Sequence, residues 1–200
     1  MQRFLAGMMA IAVMGFSDLA TAQVNATYPA FYDEKLPLYN WDEQGLNNAP
    51  LSVPIRLRDE FTGETWATVL DNNFEDNILN GDKRGLASIW GSNLSGGFVR
   101  ASYYIRIGNR CGVFRDCSQS ANQNRFVSLE VKAGDKTFKV TRLSQKGSFI
   151  LLKEETEILR NAPDNQNAKI RLIDEGGTPY VYEIGTGTVK AWKVIYNTFN

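Results

Sequence analysis

Histidine is absent from the 200 residues of the chain, and this absence excludes several common chemistries. Without imidazole there is no Ser-His-Asp triad, no cysteine–histidine pair, no histidine ligand for zinc and no axial histidine for haem. An excess of either charge is also absent, because 22 Lys and Arg residues balance 22 Asp and Glu residues. Proteins that bind nucleic acid or anionic membrane surfaces usually carry a clear positive excess. Nucleic acid is therefore not an expected partner.

Residues 1–22 have the pattern of an export signal peptide. Arg3 gives a short basic start, an apolar stretch runs from Phe4 to Phe16, and a polar run ends at Ala22. The apolar stretch is shorter than the roughly 20 residues that span a bilayer as a helix. We therefore expect cleavage after Ala22 and an exported protein, periplasmic or secreted, that is not an integral membrane protein after cleavage.

Cysteine is scarce, with two residues in the chain, Cys111 and Cys117. Five residues separate them, and in an oxidising compartment such a pair forms a disulfide. A loop this short gains only about 2 kcal/mol from the cross-link in the chain-entropy treatment. We expect the disulfide to stiffen its own loop and not to hold the fold together.

Apolar, aromatic and β-branched residues follow a pattern that predicts a mainly β fold. Residues 23–50 contain several aromatics and prolines without a regular period, which predicts an extended arm. Residues 51–200 then form one domain, an antiparallel β-sandwich or barrel-like structure with one or two short helices. Strands are predicted at 55–58, 65–69, 98–107, 126–131, 137–143, 148–152, 168–173, 180–184 and 189–196. A short helix is predicted at 153–161, a polar connection at 71–82 and a glycine-rich loop at 85–97.

The loop between the strands ending near 107 and beginning at 126 is the strongest candidate for a binding site. It carries Phe114 in a span too small to bury it, with Arg110 and Arg115 nearby. Aromatic and arginine side chains are common anchors of interfaces, and loops on rigid scaffolds often carry recognition residues. The alternative is that Phe114 folds back beneath the loop while the arginines are solvated. Trp90, whose neighbours are glycine and polar residues, is a further candidate binding residue in the predicted loop at 85–97.

Other sites have weaker support in the sequence. Asp71 to Asp82 resembles a calcium loop at its first, third and fifth positions, but Asp76 stands where the turn needs glycine, so we expect no metal. No Ser-x-x-Lys pattern is present, and no cofactor is expected. Two Asp or Glu side chains held across a cleft could instead hydrolyse a glycosidic bond. The candidates for such a pair are Asp59, Glu60, Glu64, Asp71 and Glu75.

These patterns favour an exported, non-enzymatic interaction module that binds an envelope or extracellular protein or glycan through the loop containing Cys111 and Cys117. The alternative is a glycan-active protein, either a carboxylate-based glycoside hydrolase or a carbohydrate-binding module. Aromatic side chains stack on sugar rings, and Trp66, Tyr103 and Tyr104 are candidates for that role alongside Trp90. Aromatic residues in strands more often belong to the core.

Overall fold

Two β-sheets and three helices make up the part of the chain that the structure, a computed structural model, describes: residues 35–77, 82–93, 96–106 and 125–197. The strands are β1 Leu38–Asn40, β2 Pro54–Arg58, β3 Thr65–Asn77, β4 Asp82–Asn93, β5 Gly96–Arg106, β6 Phe126–Ala133, β7 Lys136–Val140, β8 Phe149–Leu151, β9 Ala168–Asp174 and β10 Pro179–Ile184. The helices are α1 Glu43–Asn48, α2 Lys153–Arg160 and α3 Thr186–Ile195. The prediction of a mainly β, sandwich-like single domain is confirmed.

The strand order is β1-β2-β3-β4-β5-β8 in the six-stranded sheet and β10-β9-β6-β7 in the four-stranded sheet. Neighbouring strands are antiparallel except for β1 and β2, which are parallel. The predicted hairpin of β6 and β7 is confirmed, with Gly134 at positive φ in its turn. Clean alternation of apolar and polar residues in these two strands explains why the pattern alone located them.

The main core lies between the inner faces of the two sheets and includes α3. Fully buried side chains from both sheets and from the helices meet there, among them Trp90, Leu129, Leu172 and Trp192. A smaller apolar cluster covers the outer face of the six-stranded sheet, where α1 and its neighbours pack on Ile55 and Leu57. The six-stranded sheet is thus partly covered on its outer face as well as buried on its inner face.

Residues 35–50, predicted as part of an extended arm, are packed onto the domain. Strand β1 pairs with β2, and the Trp41 N–H donates to the Arg58 carbonyl at 2.8 Å. The Asp42 side chain caps α1 by accepting a hydrogen bond from the Gly45 N–H at 2.5 Å. This end of the predicted arm therefore forms a strand and a short helix.

The polar connection predicted at 71–82 is wrong in its N-terminal part, because β3 runs through it to Asn77 and pairs with β4 in continuous antiparallel register. Pairing with neighbouring strands overrides the low intrinsic β preference of Asp and Asn residues. On the inner face, Asp71 bonds to α3, and the Asn73 amide donates to the Glu183 carbonyl of β10 at 2.9 Å. Asp71 and Asn73 thus have partners that are distant in sequence.

The glycine-rich loop predicted at 85–97 is also wrong, since strands β4 and β5 occupy most of it. Gly91 makes room for the Phe98 ring, which lies where a Cβ would stand. The last predicted strand, 189–196, is instead the helix α3 followed by its cap at Tyr196. Val189, Trp192 and Ile195 recur at helical spacing and are all buried, so one face of the helix fills the core.

Candidate functional site

The loop predicted to bind a partner lies outside the described residues. This applies to Arg110, Cys111, Phe114, Arg115 and Cys117. The structure does place the strands on either side of it: β5 ends at Arg106 in the six-stranded sheet, and β6 begins at Phe126 in the four-stranded sheet. The segment therefore connects the two sheets.

Several other chain reversals lie at the same end of the sheets, which we name the loop-bearing end. Asn77 pairs with Asp82 where β3 leads to β4, and Lys83 pairs with Arg106 beside it. In the other sheet, Phe126 pairs with Asp174, the last residue of β9 before the turn into β10. The loop-bearing end is thus formed by six strands, three from each sheet.

Three aromatic rings pack beneath the loop-bearing end. The rings of Tyr103 and Tyr180 have centroids 5.0 Å apart, and those of Phe126 and Tyr180 are 5.6 Å apart at a near-perpendicular angle. The Tyr180 hydroxyl donates to the Asp174 carboxylate at 3.2 Å. These contacts join β5 to β6 and β10, so the strands flanking residues 107–124 have a packed aromatic base.

Trp90, predicted as a binding residue in a loop, lies in strand β4 and is completely buried. Its ring packs against Trp192 with centroids 4.7 Å apart, and its indole N–H donates to the Ser88 hydroxyl at 2.9 Å. A side chain with no exposed surface cannot meet a macromolecular partner. Trp90 is therefore corrected to a core residue that joins the sheet to α3.

A second group of aromatic rings lies on the outer face of the six-stranded sheet. Trp41 packs edge-on against Trp66, with centroids 5.2 Å apart, and lies 6.1 Å from the ring of Phe98. All three side chains are partly exposed. We name Trp41, Trp66 and Phe98 the outer aromatic cluster. No local sequence pattern predicts this cluster, because Trp41 comes from the predicted arm and joins the other two only through tertiary packing.

Asp71, in strand β3, has a buried carboxyl that lies beside the start of α3. Its Oδ2 accepts a hydrogen bond from the Thr188 hydroxyl at 2.5 Å, and Thr188 in turn lies 3.0 Å from the Ser52 hydroxyl. Burial raises the pKa of Asp71, while hydrogen bonds from the Thr188 side chain and the Gly185 backbone act in the opposite direction. The Asp71 carboxyl of β3 thus accepts hydrogen bonds from donors at the N-terminus of α3.

Of the other candidate catalytic carboxylates, Glu75 lies in β3, where its backbone pairs with Arg84 of β4, and the remaining three lie together in the β2–β3 turn. Asp59 accepts from the backbone N–H groups of Phe61 and Thr62, at 2.8 and 3.1 Å. Glu60 accepts from the Asn40 amide at 2.5 Å, and Glu64 is exposed. Asp71 is far along β3 from this turn, on the inner face. The structure therefore brings Asp59, Glu60 and Glu64 to one exposed turn and separates them from Asp71.

Among the described residues, no group of three His, Cys, Asp or Glu side chains is placed to hold a metal ion. Within the same ranges, no helix has the length and apolar character needed to cross a membrane. Comparison with known proteins finds no matching family model, no matching curated protein and no matching solved structure.

Proposed function

We propose that the protein is an exported, non-enzymatic interaction module that binds an envelope or extracellular macromolecule through the loop from Cys111 to Cys117. The supporting observation concerns the two strands on either side of this segment. Its flanking strands, β5 and β6, belong to different sheets and are held together by the packed rings of Tyr103, Phe126 and Tyr180. A rigid scaffold reduces the conformational entropy lost when a loop binds its partner.

The chemistry of the loop defines the partner surface. Phe114 supplies an apolar anchor, and Arg110 and Arg115 supply planar donors that bind carboxylates or carbonyl oxygens. We propose that the partner presents an apolar site with acidic or carbonyl-rich borders. The disulfide between Cys111 and Cys117 fixes the loop before binding, so its reduction weakens binding without unfolding the domain.

The decisive experiment uses the purified protein as bait for native envelope and extracellular extracts, followed by titration calorimetry with each captured partner after purification. We expect the double substitution Phe114→Ala and Arg115→Ala to weaken binding at least tenfold. The matched control is the double substitution Asp135→Ala and Lys136→Ala in the β6–β7 turn, which leaves affinity unchanged. Equal binding by the wild type and the Phe114/Arg115 variant would falsify the assignment of the loop.

Export and the disulfide are tested by the mass of the protein recovered from its native compartment. We expect a mature chain that begins at Gln23 and is two hydrogen masses lighter than its reduced form. A chain that retains Met1 contradicts cleavage after Ala22. Two free thiols that react with iodoacetamide without prior reduction contradict the disulfide.

The outer aromatic cluster favours a second candidate function, the binding of a glycan without catalysis. Partly exposed indole and phenyl rings stack on the apolar faces of sugars. The exposed Arg100 lies on the same sheet face, two residues from Phe98, and supplies hydrogen-bond donors for hydroxyl groups. We expect Trp41→Ala and Arg100→Ala each to reduce binding of any glycan identified on an array. An array with no signal above background removes this candidate.

A further inference from the structure

The tip of the β2–β3 hairpin presents a phenylalanine fully to solvent. The Phe61 side chain is 101% exposed relative to its reference state. The turn beneath it is ordered by backbone bonds, with Asp59 N–H donating to the Glu64 carbonyl at 2.9 Å and Gly63 N–H to the Asp59 carbonyl at 2.8 Å. Burial of a phenylalanine side chain removes a large apolar surface from water and is favourable. Within the described part of the chain, no contact gives Phe61 this stabilisation.

Acidic side chains border Phe61. Asp59, Glu60 and Glu64 lie in the same turn, against a single nearby cation, Arg58. Carboxylates around an exposed aromatic ring disfavour an anionic lipid surface and favour a protein site with cationic borders. The partner of the tip therefore combines an apolar patch with lysine or arginine side chains.

A surface of this kind exists on the protein itself, on the outer face of the four-stranded sheet. Ile173 pairs with Pro179, and Val181, which is 61% exposed, follows on the same face. Arg171 stands directly beside Val181 in the pairing register. We name Ile173, Pro179, Val181 and Arg171 the receiving patch.

The face around the receiving patch carries more cations than anions. Its cations are Lys132, Lys139, Lys169 and Arg171, and its anions are Glu130 and Glu183. Glu130 is paired with both Lys139 and Arg171, and Glu183 with Lys169. The Lys139, Lys169 and Arg171 side chains remain more than half exposed, whereas of the two anions only Glu183 is similarly exposed and Glu130 is mostly covered. The face thus offers positive charge to an incoming acidic turn.

The tip and the receiving patch lie toward opposite ends of the protein. The β2–β3 turn is at the end where Arg58 pairs with Thr65 and where β4 leads to β5. Pro179 begins β10 beside the turn that follows Asp174, at the loop-bearing end. One molecule therefore cannot place its own tip on its own patch, whereas two copies can meet head to tail.

We propose that the protein self-associates head to tail, with Phe61 of one copy docking on the receiving patch of the next. The tip carboxylates face the Lys169 and Arg171 side chains of that copy. Because the tip and patch are different surfaces, the contact is heterologous and continues into chains unless its rotation closes a ring. A contact centred on one aromatic side chain buries far less than a standard interface. A dissociation constant of about 0.1–1 mM is therefore expected.

Sedimentation equilibrium over a concentration series reaching about 1 mM tests the proposal. We expect the weight-average mass of the wild type to rise with concentration and to fall when the salt concentration is increased. Phe61→Ala, which lacks the tip, and Val181→Glu, which repels the acidic turn, each remain monomeric. Their equimolar mixture forms dimers and no larger species, because it contains one intact tip and one intact patch per pair. Val194→Ala, an exposed substitution on α3 outside both surfaces, associates like the wild type.

The proposal is overturned if the wild type stays monomeric throughout the series, if Phe61→Ala associates as the wild type does, or if the mixture stays monomeric. Phe61-dependent binding to lipid vesicles instead of to a second copy also overturns it. Circular dichroism and urea unfolding check that each variant is folded. We expect both to fold, because Phe61 and Val181 are exposed and neither contributes to the core. The Phe114→Ala and Arg115→Ala variant should self-associate normally, so this result is independent of the proposed loop function.

Discussion

Asp71 shows how one side chain joins a strand to a helix that is distant in sequence. Its carboxyl lies on the inner face of β3 and accepts the Thr188 hydroxyl near the first turn of α3. Gly187 permits this close approach, because a Cβ there would lie 2.9 Å from the Ser52 Cβ. Ser52 itself has φ of 58°, a conformation that few residues other than glycine adopt. The region is therefore built around a tight contact between the start of α3 and residue 52.

The raised pKa of Asp71 predicts a specific pH dependence of stability. The unfolded chain releases this proton near pH 3.9, whereas the folded protein retains it to higher pH. As pH rises from about 3.9 through the folded-state pKa, the free energy of unfolding of the wild type should fall relative to that of Asp71→Asn. Urea unfolding of both proteins at several pH values between about 3 and 7 measures this difference.

The exposed Asp135 in the β6–β7 turn supplies the reference for this measurement, through the substitution Asp135→Asn. A wild-type stability that rises with pH relative to Asp71→Asn contradicts the prediction. It would mean that the hydrogen bonds from Thr188 and Gly185 outweigh the cost of burying the charge.

Gly97 lies where three elements meet, and the absence of a side chain is required there. A Cβ at this position would stand 2.6 Å from Thr156 Cγ2 and 3.1 Å from both Leu151 Cβ and Tyr196 Cε1. We expect Gly97→Ala to lower the free energy of unfolding by about 1–3 kcal/mol through overpacking. Gly185→Ala is the matched control, because its Cβ meets no atom within 4 Å and its φ is −65°. Equal stability of the two variants in urea unfolding would contradict the crowding at Gly97.

At the scale of elements, α3 is where local sequence preference and tertiary packing disagree. Val189, Trp192, Val194, Ile195 and Tyr196 are β-branched or aromatic, which predicts a strand. The spacing of the buried members is helical, and the Ser92 hydroxyl donates to the Ile195 carbonyl at 2.5 Å near the end of the helix. The β-branched and aromatic composition of this segment therefore predicts the wrong element, whereas the spacing of its apolar residues indicates the helix.

Other elements were predictable because their signals are local. The β6–β7 hairpin alternates apolar and polar residues on either side of a glycine turn. Helix α2 has acidic residues in its first turn, ends with Arg160, and is held at its start by Glu155, which accepts the Leu152 N–H at 2.5 Å. The length of β3 and β4 was not predictable, since their polar segments depend on partners elsewhere in the chain.

The described candidate sites were poorly predicted for the same reason, because they depend on contacts between residues distant in sequence. Trp90 has glycine and polar neighbours, which predict exposure, but the pairing of β4 with two strands and its contact with Trp192 bury it. The outer aromatic cluster arises from residues 25 and more positions apart, and no local pattern connects them. Phe61 lies in an ordinary turn sequence, and only the structure shows that it is exposed and that none of the described residues covers it.

Removal of the Trp192 side chain tests the role of α3 as a core element. Its ring is fully buried against Trp90, so Trp192→Ala should lower the free energy of unfolding by about 3–5 kcal/mol. Val194→Ala, on the exposed side of the same helix, should change it by no more than about 0.5 kcal/mol. Similar losses in the two variants, measured by urea unfolding, would contradict a helix with one buried face.

At the scale of the whole molecule, the net charge is zero but the positive and negative side chains are unevenly distributed over the surface. The acidic β2–β3 turn and the cation-rich outer face of the four-stranded sheet lie toward opposite ends. A net charge of zero excludes strong long-range attraction to polyanions but leaves local complementarity intact. Ionic strength should therefore affect contacts between particular surfaces more than the stability of the fold.

The continuous core predicts that the two sheets unfold together. Buried residues of both sheets, α2 and α3 form one apolar cluster, so unfolding of either sheet exposes side chains that the other sheet covers. The four tryptophans make this testable, because Trp41 and Trp66 lie in the outer aromatic cluster while Trp90 and Trp192 lie in the main core. In a Trp41→Phe and Trp66→Phe variant, fluorescence reports the main core alone, whereas circular dichroism reports both sheets. We expect the two thermal transitions to coincide and the calorimetric enthalpy to equal the van't Hoff enthalpy. A circular dichroism transition that precedes the fluorescence change would instead show that one sheet unfolds while the packing of Trp90 against Trp192 persists.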